Sequence, residues 1–235
     1  MIINIYDKNT LEIIGRPIIS NLEDFKKEPT LFFPDFNKEN HIFSEIEYQN
    51  PVLEKGKLRE STKEELYKAG KYILAENELV ENNKIKTVEL SECEFIENNT
   101  VKLDRKKKIE QIKKELYDLR LEYDVAPFEF EVGGVKYLQN NRSIDQSNLT
   151  RIVVMCQAMK KTEFENWKFY TKDNSEKYVN LTLQDMMKMA NIMQSQTTKA
   201  MATETLLSHS LENLTDKELK EYDAKDRYEK AYKNM

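Results

Sequence analysis

Alternating apolar and polar residues predict hairpins in the first hundred residues. Apolar residues at 2–6 and 11–14 flank the polar segment Asp7-Lys8-Asn9-Thr10, which predicts a first hairpin. Two more are predicted at 79–88 and 93–103, where paired asparagines supply residues that tolerate a left-handed backbone. Pro17, Pro29, Pro34 and Pro51 limit helix formation, and we therefore expect the first fifty residues to be mainly extended.

One short helix is predicted in this region, near 62–74. Thr62 followed by Glu65 matches a capping box, in which each residue's side chain accepts a hydrogen bond from the other residue's backbone N–H. Residues 1–103 are therefore predicted to be a β-rich N-terminal region with one short helix.

From residue 104 to about 123 the pattern changes to that of a helix. Apolar side chains recur at alternating spacings of three and four residues, the seam of two heptads. The seam residues are Ile109, Ile112, Leu116, Leu119 and Tyr123. Two interpretations follow: an amphipathic helix packed on its own domain, or a short coiled coil between subunits. In the second, these five residues form an oligomer or partner interface.

The segment up to residue 214 predicts two hairpins and two further helices. One hairpin covers 128–137 around Gly133-Gly134, and the other covers 167–181 with a polar turn at 172–175. A helix is predicted over 148–160, capped by Asp145 or Ser147, and a long helix from Thr182.

Two features of the long helix stand out in the sequence. Its polar stretch Ser195–Thr198 interrupts the apolar side and allows a bend, and its methionines predict either core filling or an adaptable partner groove. Thr215 and Glu218 begin a C-terminal helix over 215–235. The predicted fold class is α+β: an extended β-rich N-terminal region, then a mainly helical C-terminal domain with two β-hairpins over 104–214.

Composition narrows the function classes. The 235 residues carry 34% charged and 39% hydrophobic residues, enough apolar side chains for a core. Only five glycines are present, which disfavours glycine-rich phosphate loops and dinucleotide folds. The net charge is −5 and the single basic run, 105–108, is followed by acidic residues, so no nucleic-acid partner is expected.

No motif for catalysis or metal binding is apparent. His41 and His209 are far apart and lack neighbours at metal-ligand spacing, and Cys93 and Cys156 form no CxxC pair. We expect no catalytic residue, cofactor or metal, although the many carboxylates leave a glycosidase pair open. The longest apolar run, 152–156, is too short for membrane insertion, and no signal-peptide pattern is seen. Synthesis in the cytoplasm with reduced thiols is expected.

Residues 104–214 resemble a small domain of unknown function found at the C-termini of phage tail and tail-fibre assembly proteins. The resemblance is carried by the order of a charged helix, a hairpin, a helix, a tryptophan before a polar turn, a strand and a long helix. The matching segments are Arg105–Ile109, Phe128–Phe130 with Val135–Tyr137, Trp167, Asp173-Asn174, Tyr178–Leu181 and Thr182–Met186.

A second resemblance covers residues 1–34. Ile5-Tyr6-Asp7, Glu12–Gly15 and Phe33-Pro34 are similar to the opening of tail-fibre assembly proteins. The small, proline-rich stretch that follows in those proteins is replaced here by acidic and asparagine-rich sequence.

The resemblance implies a non-enzymatic structural or assembly protein of a bacteriophage tail or of a tail-like particle such as a contractile bacteriocin, at or near the tail fibre and baseplate. Its partners would be other phage tail proteins, with a homo-oligomer as an alternative. It would reside in the bacterial host cytoplasm during assembly and, as a permanent component, in the particle.

Two other functions stay open at this point. A host receptor-binding tail module would expose aromatic clusters, and a cell-wall hydrolase is the remote alternative. The candidate aromatic clusters are Phe32 with Phe33, and Tyr222 with Tyr228 and Tyr232.

Overall fold

A computed structural model describes residues 1–235 and contains both helices and strands, with several small sheets. The chain divides into two compact units. The N-terminal unit comprises Met1–Leu90 and Ile96–Val101, and the C-terminal unit comprises Ser91–Phe95 and Lys102–Met235.

A three-stranded antiparallel sheet lies in the N-terminal unit. Strand β1 (Asn4–Asp7) is central, between β2 (Ile13–Gly15) and β3 (His41–Ser44). The predicted first hairpin is confirmed: Asp7 Oδ1 accepts the N–H groups of Asn9 at 2.8 Å and Thr10 at 3.0 Å.

The first fifty residues are less extended than predicted. Helix α1 (Leu22–Lys27) begins at Asn21, whose side-chain oxygen accepts the N–H of Asp24 at 2.9 Å. It places Phe25, which is fully buried, against apolar residues of the sheet and the following loop. This asparagine cap accounts for a helix that proline spacing alone did not reveal.

Three two-stranded hairpins follow. They are β4 (Pro51–Glu54) with β5 (Lys57–Glu60), β6 (Glu78–Glu81) with β7 (Lys84–Thr87), and β8 (Glu94–Glu97) with β9 (Thr100–Leu103). The last two confirm the predicted hairpins, since their turn asparagines all have positive φ. The first was not predicted.

Helix α2 (Lys63–Lys68) has the predicted capping box of Thr62 and Glu65 but is shorter than 62–74. It ends before Gly70, whose φ of +69° leaves the helical region.

The C-terminal unit contains the long helices and a four-stranded antiparallel sheet. Strands β10 (Phe128–Val132), β11 (Val135–Gln139), β12 (Glu163–Tyr170) and β13 (Glu176–Thr182) lie in that order, so the two predicted hairpins form one sheet. The helices are α3 (Arg105–Asp124), α4 (Ser143–Ala158), α5 (Leu183–Ser210), α6 (Asp216–Lys220) and α7 (Ala224–Asn234).

Two helix predictions need correction. Helix α4 begins at Ser143 rather than 148, because Asp145 lies at its third position and accepts the N–H of Arg142 at 3.1 Å. The predicted single helix over 215–235 is two helices, α6 and α7. Asp223 caps the second by accepting the N–H of Asp226 at 2.9 Å.

A first core of the C-terminal unit lies between the four-stranded sheet and helices α4 and α5. Met186, Met189 and Met193 are buried in it, whereas Met187 and Met201 of the same helix are exposed. The side of α5 that contacts the sheet therefore has the core-filling role that its methionine spacing predicted.

The seam of α3 lies in a second core of this unit. Ile109, Ile112 and Leu116 are buried against residues of α6, α7 and the end of α5, and Leu119 and Tyr123 pack on the same cluster. The packing supports the intramolecular interpretation. A coiled coil through the same face would require these contacts to be broken.

The aromatic residues proposed for a receptor-binding tip are not exposed clusters. Tyr222 and Tyr228 are buried, and Tyr232 packs against the same core with its ring 4.7 Å from that of Tyr123. Phe32 and Phe33 pack on the core of the N-terminal unit. Tyr222, Tyr228 and Tyr232 stabilise the C-terminal unit because burying an aromatic ring removes a large apolar area from water.

The polar stretch of α5 makes specific hydrogen bonds. Thr197 Oγ1 donates to Asp124 Oδ1 at 2.5 Å, and Gln196 Oε1 accepts from Nδ2 of the buried Asn141 at 3.1 Å. Helix α5 continues through this stretch from residue 183 to 210. The apolar side of α5 is interrupted here because its polar side chains form hydrogen bonds with Asp124, the last residue of α3, and with Asn141.

None of the helices combines the length and apolar character needed to cross a membrane.

Candidate functional site

A pocket of about 350 Å³ lies in the C-terminal unit between α4 and the strands β11 and β12. We call it the α4–β12 pocket. Its lining combines aromatic rings, amide side chains and three cationic side chains. The pocket is lined by Gln139, Asn140, Arg142, Asp145, Asn148, Arg151, Ile152, Phe164, Asn166, Trp167, Lys168 and Tyr170.

A β-bulge shapes one wall of this pocket. The register between β12 and β13 shifts between Phe164 and Trp167, and Asn166 has a φ of +60°. In a regular strand, residues three apart point to opposite faces, whereas an extra residue brings them to the same face. The Phe164 and Trp167 rings accordingly meet edge to face at 6.2 Å. The bulge therefore brings Phe164 and Trp167 together in the lining of the pocket.

The floor of the pocket is held by a buried hydrogen bond. Trp167 Nε1 donates to Gln139 Oε1 at 2.9 Å, and Gln139 Nε2 donates to the backbone oxygen of Asn140 at 2.6 Å. Both side chains are buried, so each polar group requires a partner. Gln139 thereby links β11 to the bulged strand.

Charged side chains surround the opening. Arg142 contacts Asp145 through two hydrogen bonds of 2.8 and 3.1 Å, and this pairing raises the pKa of Arg142. Lys168 donates to Glu176 at 2.9 Å, which raises the pKa of that lysine, and its amine lies 5.4 Å from the Tyr170 ring centre. Both cations therefore have partners within the chain.

Arg151 differs from the other two cations. It is exposed on α4, lines the pocket, and has neither a hydrogen bond nor an ion pair in the chain. The lining thus contains three cationic side chains and one carboxylate, with one guanidinium free to contact an anionic group. A guanidinium binds carboxylates through two parallel hydrogen bonds.

The residues predicted as an interface lie elsewhere. Ile109, Ile112, Leu116, Leu119 and Tyr123 belong to the second core and do not line the pocket. Cys93 and Cys156 are buried free thiols, and no group of three or more His, Cys, Asp or Glu residues is close enough to hold a metal ion.

Sequence reasoning did not identify the pocket residues. Asp145 was predicted to cap a helix from 148 and instead lies at the third position of α4, whereas Trp167 lies in a strand as predicted. The bulge at Asn166 was the missing step, because without it the spacing does not place Phe164 beside Trp167. An asparagine between aromatic residues of a strand is the signal that could have indicated it.

Comparison with known proteins gives a family but no characterised relative. Residues 104–226, more than half of the chain, match a family described as a domain of unknown function, DUF4376. No curated protein and no solved structure matches the chain. The matched residues include the whole four-stranded sheet, helices α3 to α6 and the α4–β12 pocket. The chain therefore belongs to the DUF4376 family.

Proposed function

We propose that the protein is a non-enzymatic structural or assembly protein of a bacteriophage tail or phage tail-like particle, at or near the tail fibre and baseplate. It acts by binding other tail proteins. The tail assignment is supported by the resemblance of residues 104–214 and 1–34 to tail and tail-fibre assembly proteins. The observation that carries the binding role is the α4–β12 pocket and its unpaired Arg151.

The side chains of the pocket suit a polypeptide segment. Asn140, Asn148 and Asn166 offer both donors and acceptors, as a peptide backbone does. Aromatic residues and arginine contribute most to the energy of protein–protein contacts. The excess of positive charge favours a partner segment that carries a carboxylate, which Arg151 would bind, beside an apolar residue on Ile152 and Phe164.

In this proposal the two regions of the chain have different roles. We assign partner binding to the mainly helical domain with its two hairpins, and attachment within the tail to the extended β-rich N-terminal region. The chain would work in the bacterial host cytoplasm during assembly, and the same contacts would keep a permanent component in the particle.

The binding role is tested by recovering the tagged full-length chain from cells that are producing particles. We expect tail proteins to be recovered with the wild type, and to be lost with Arg151→Glu, which reverses the free charge in the pocket. Lys188→Glu is the matched control, because Lys188 is exposed on α5, lies outside the pocket and undergoes the same charge change. Recovery without tail proteins, or equal recovery with both variants, would contradict the proposal.

Mass spectrometry of finished particles separates the two roles that a tail-binding protein can have. A permanent component is present in fixed stoichiometry with the fibre or baseplate proteins. An assembly factor is absent from finished particles but recovered with tail proteins from the producing cells.

A further inference from the structure

A second pocket, of about 390 Å³, lies in the N-terminal unit beside α1 and β3. All of its charged or titratable side chains are basic: Lys8, Lys26, Lys38 and His41. We call it the lysine pocket. The complete chain has more acidic than basic residues, 42 against 37, so a lining without any carboxylate departs from the average surface. Such a pocket concentrates positive potential.

Much of this positive charge is not neutralised within the chain. Lys8 Nζ donates to the backbone oxygens of Lys38 at 2.5 Å and Glu39 at 3.0 Å, which are neutral acceptors. Lys38 has no ion pair. Only Lys26 is paired, with Glu23 at 2.9 Å, and Glu23 does not line the pocket.

His41 presents a donor to the same space. Its Nδ1 accepts the N–H of Asn37 at 3.1 Å, so the ring proton of the neutral form lies on Nε2. Asp7 pairs with His41 across the sheet, but the carboxylate of Asp7 is held by the N–H groups of its own turn. The Asp7 carboxylate keeps its charge in these bonds, and its attraction to His41 is one of the causes that lower the pKa of Asp7, so the uncompensated charge of the pocket lies on Lys8 and Lys38.

The pocket also has an aromatic wall whose rings pack against one another. Phe25 is fully buried and contacts Phe36 and Phe43 edge to face, with ring centres 5.5 and 4.9 Å away. The His41 ring lies 5.9 Å from that of Phe36. These contacts hold the wall in place before any ligand arrives, which lowers the entropy cost of binding.

We propose that the lysine pocket binds an organic phosphate. The phosphoryl group is held by Lys8, Lys38 and His41, and the attached apolar or aromatic group lies against Phe36 and Phe43. Lysines act as point charges that suit a compact anion, whereas flat carboxylates favour the arginine fork, and this lining contains no arginine. This site is independent of the α4–β12 pocket and goes beyond the proposed function.

Calorimetric titration of the full chain with phenyl phosphate tests the proposal. We expect saturable binding that phenol and inorganic phosphate each reproduce at least about tenfold more weakly, because each lacks one half of the recognised group. Lys38→Gln should weaken binding about fivefold or more, since it removes an unpaired charge. Lys27→Gln is the matched control: Lys27 is exposed on α1 beside Lys26 but does not line the pocket.

Three results would overturn the proposal. They are the absence of binding at about 10 mM phenyl phosphate, equal binding of phenol, and equal weakening by the Lys38 and Lys27 substitutions. Circular dichroism checks that both variants are folded.

A second arm distinguishes the source of the phosphate. Sedimentation with vesicles of phosphatidic acid and phosphatidylcholine, lost on Lys38→Gln, would identify a lipid headgroup. Phenyl phosphate binding without vesicle binding would identify a soluble organic phosphate. Both results support the proposal.

Discussion

At the scale of single residues, buried polar side chains show where the two units depend on specific hydrogen bonds. Glu78 in the N-terminal unit is 5% exposed and accepts hydrogen bonds from Lys63 at 2.7 Å, the Tyr72 hydroxyl at 2.6 Å and the Ala75 N–H at 3.1 Å. The bond from Lys63 is the main reason why the pKa of Glu78 falls from 4.5 to about 2. The carboxylate thereby connects α2 to the start of β6.

This lowered pKa predicts a pH dependence of stability. The contribution of Glu78 is present above pH 4.5 and is lost as the pH falls towards 2, because the unfolded chain binds the proton first. Glu78→Gln should therefore lower the denaturation midpoint at pH 7. As the pH is lowered to 3, the midpoint of the variant should fall less than that of the wild type. Glu65 and Glu94, whose pKa values are also about 2, keep part of the decline.

The control for this measurement is Glu76→Gln, since Glu76 is exposed two residues away. It should follow the wild-type curve. A Glu78→Gln curve parallel to that of the wild type would show that Glu78 does not contribute to the pH dependence.

A second residue-scale prediction concerns the floor of the α4–β12 pocket. Gln139→Leu leaves the buried Trp167 N–H without an acceptor, which should cost about 1–3 kcal/mol of unfolding free energy. Urea denaturation followed by the fluorescence of the single tryptophan measures this loss. Gln157→Leu, at an exposed position of α4, should stay within about 0.5 kcal/mol of the wild type. Equal losses in the two variants would mean that the bond to Trp167 has no specific role.

At the scale of elements, the heptad spacing of apolar residues in α3 is compatible with two interpretations. Its heptad seam is compatible with a partner helix from another subunit or from the same chain. The structure supplies α5, α6 and α7 of the same chain as the packing surface. The partner could not be read from α3 itself, because the spacing of three and four residues specifies an apolar face and not what covers it.

Leu116→Ala distinguishes the two interpretations by its concentration dependence. Leu116 is fully buried, so the substitution should cost about 2–5 kcal/mol. If the contact is intramolecular, the denaturation midpoints of the wild type and the variant should not change over a tenfold range of protein concentration. Leu121→Ala, at a 41% exposed position of the same helix, should cost much less. A midpoint that rises with concentration would indicate an interface between subunits.

Elements with local signals could be predicted from the sequence, and long-range pairings could not. The Asn82-Asn83 and Gly133-Gly134 turns and the capping boxes of α2 and α6 depend on residues a few positions apart. The pairing of β3 with β1 joins residues 34 to 40 positions apart, and β11 pairs with β12 through Leu138 and Tyr170. No local pattern encodes such pairs. The α4–β12 pocket depends on the second of them as well as on the bulge at Asn166, so its residues were not predicted as a group.

At the scale of the whole molecule, the buried seam and the docked α7 predict a monomer. Light scattering on the full chain at about 10 µM should give the mass of one chain, 27.9 kDa. The apolar seam of α3, which could have joined two copies, is covered by the chain itself. A mass of about twice this value would indicate that another surface joins two copies.

We propose that this member of the DUF4376 family is required to build a phage tail or tail-like particle. The most direct test is electron microscopy of particles made in cells from which the gene has been deleted, with the fraction of particles that carry complete fibres and baseplates as the quantity measured. We expect this fraction to fall sharply, and to be restored by the wild-type chain and by Lys188→Glu but not by Arg151→Glu. A full complement of complete particles without the chain would contradict it.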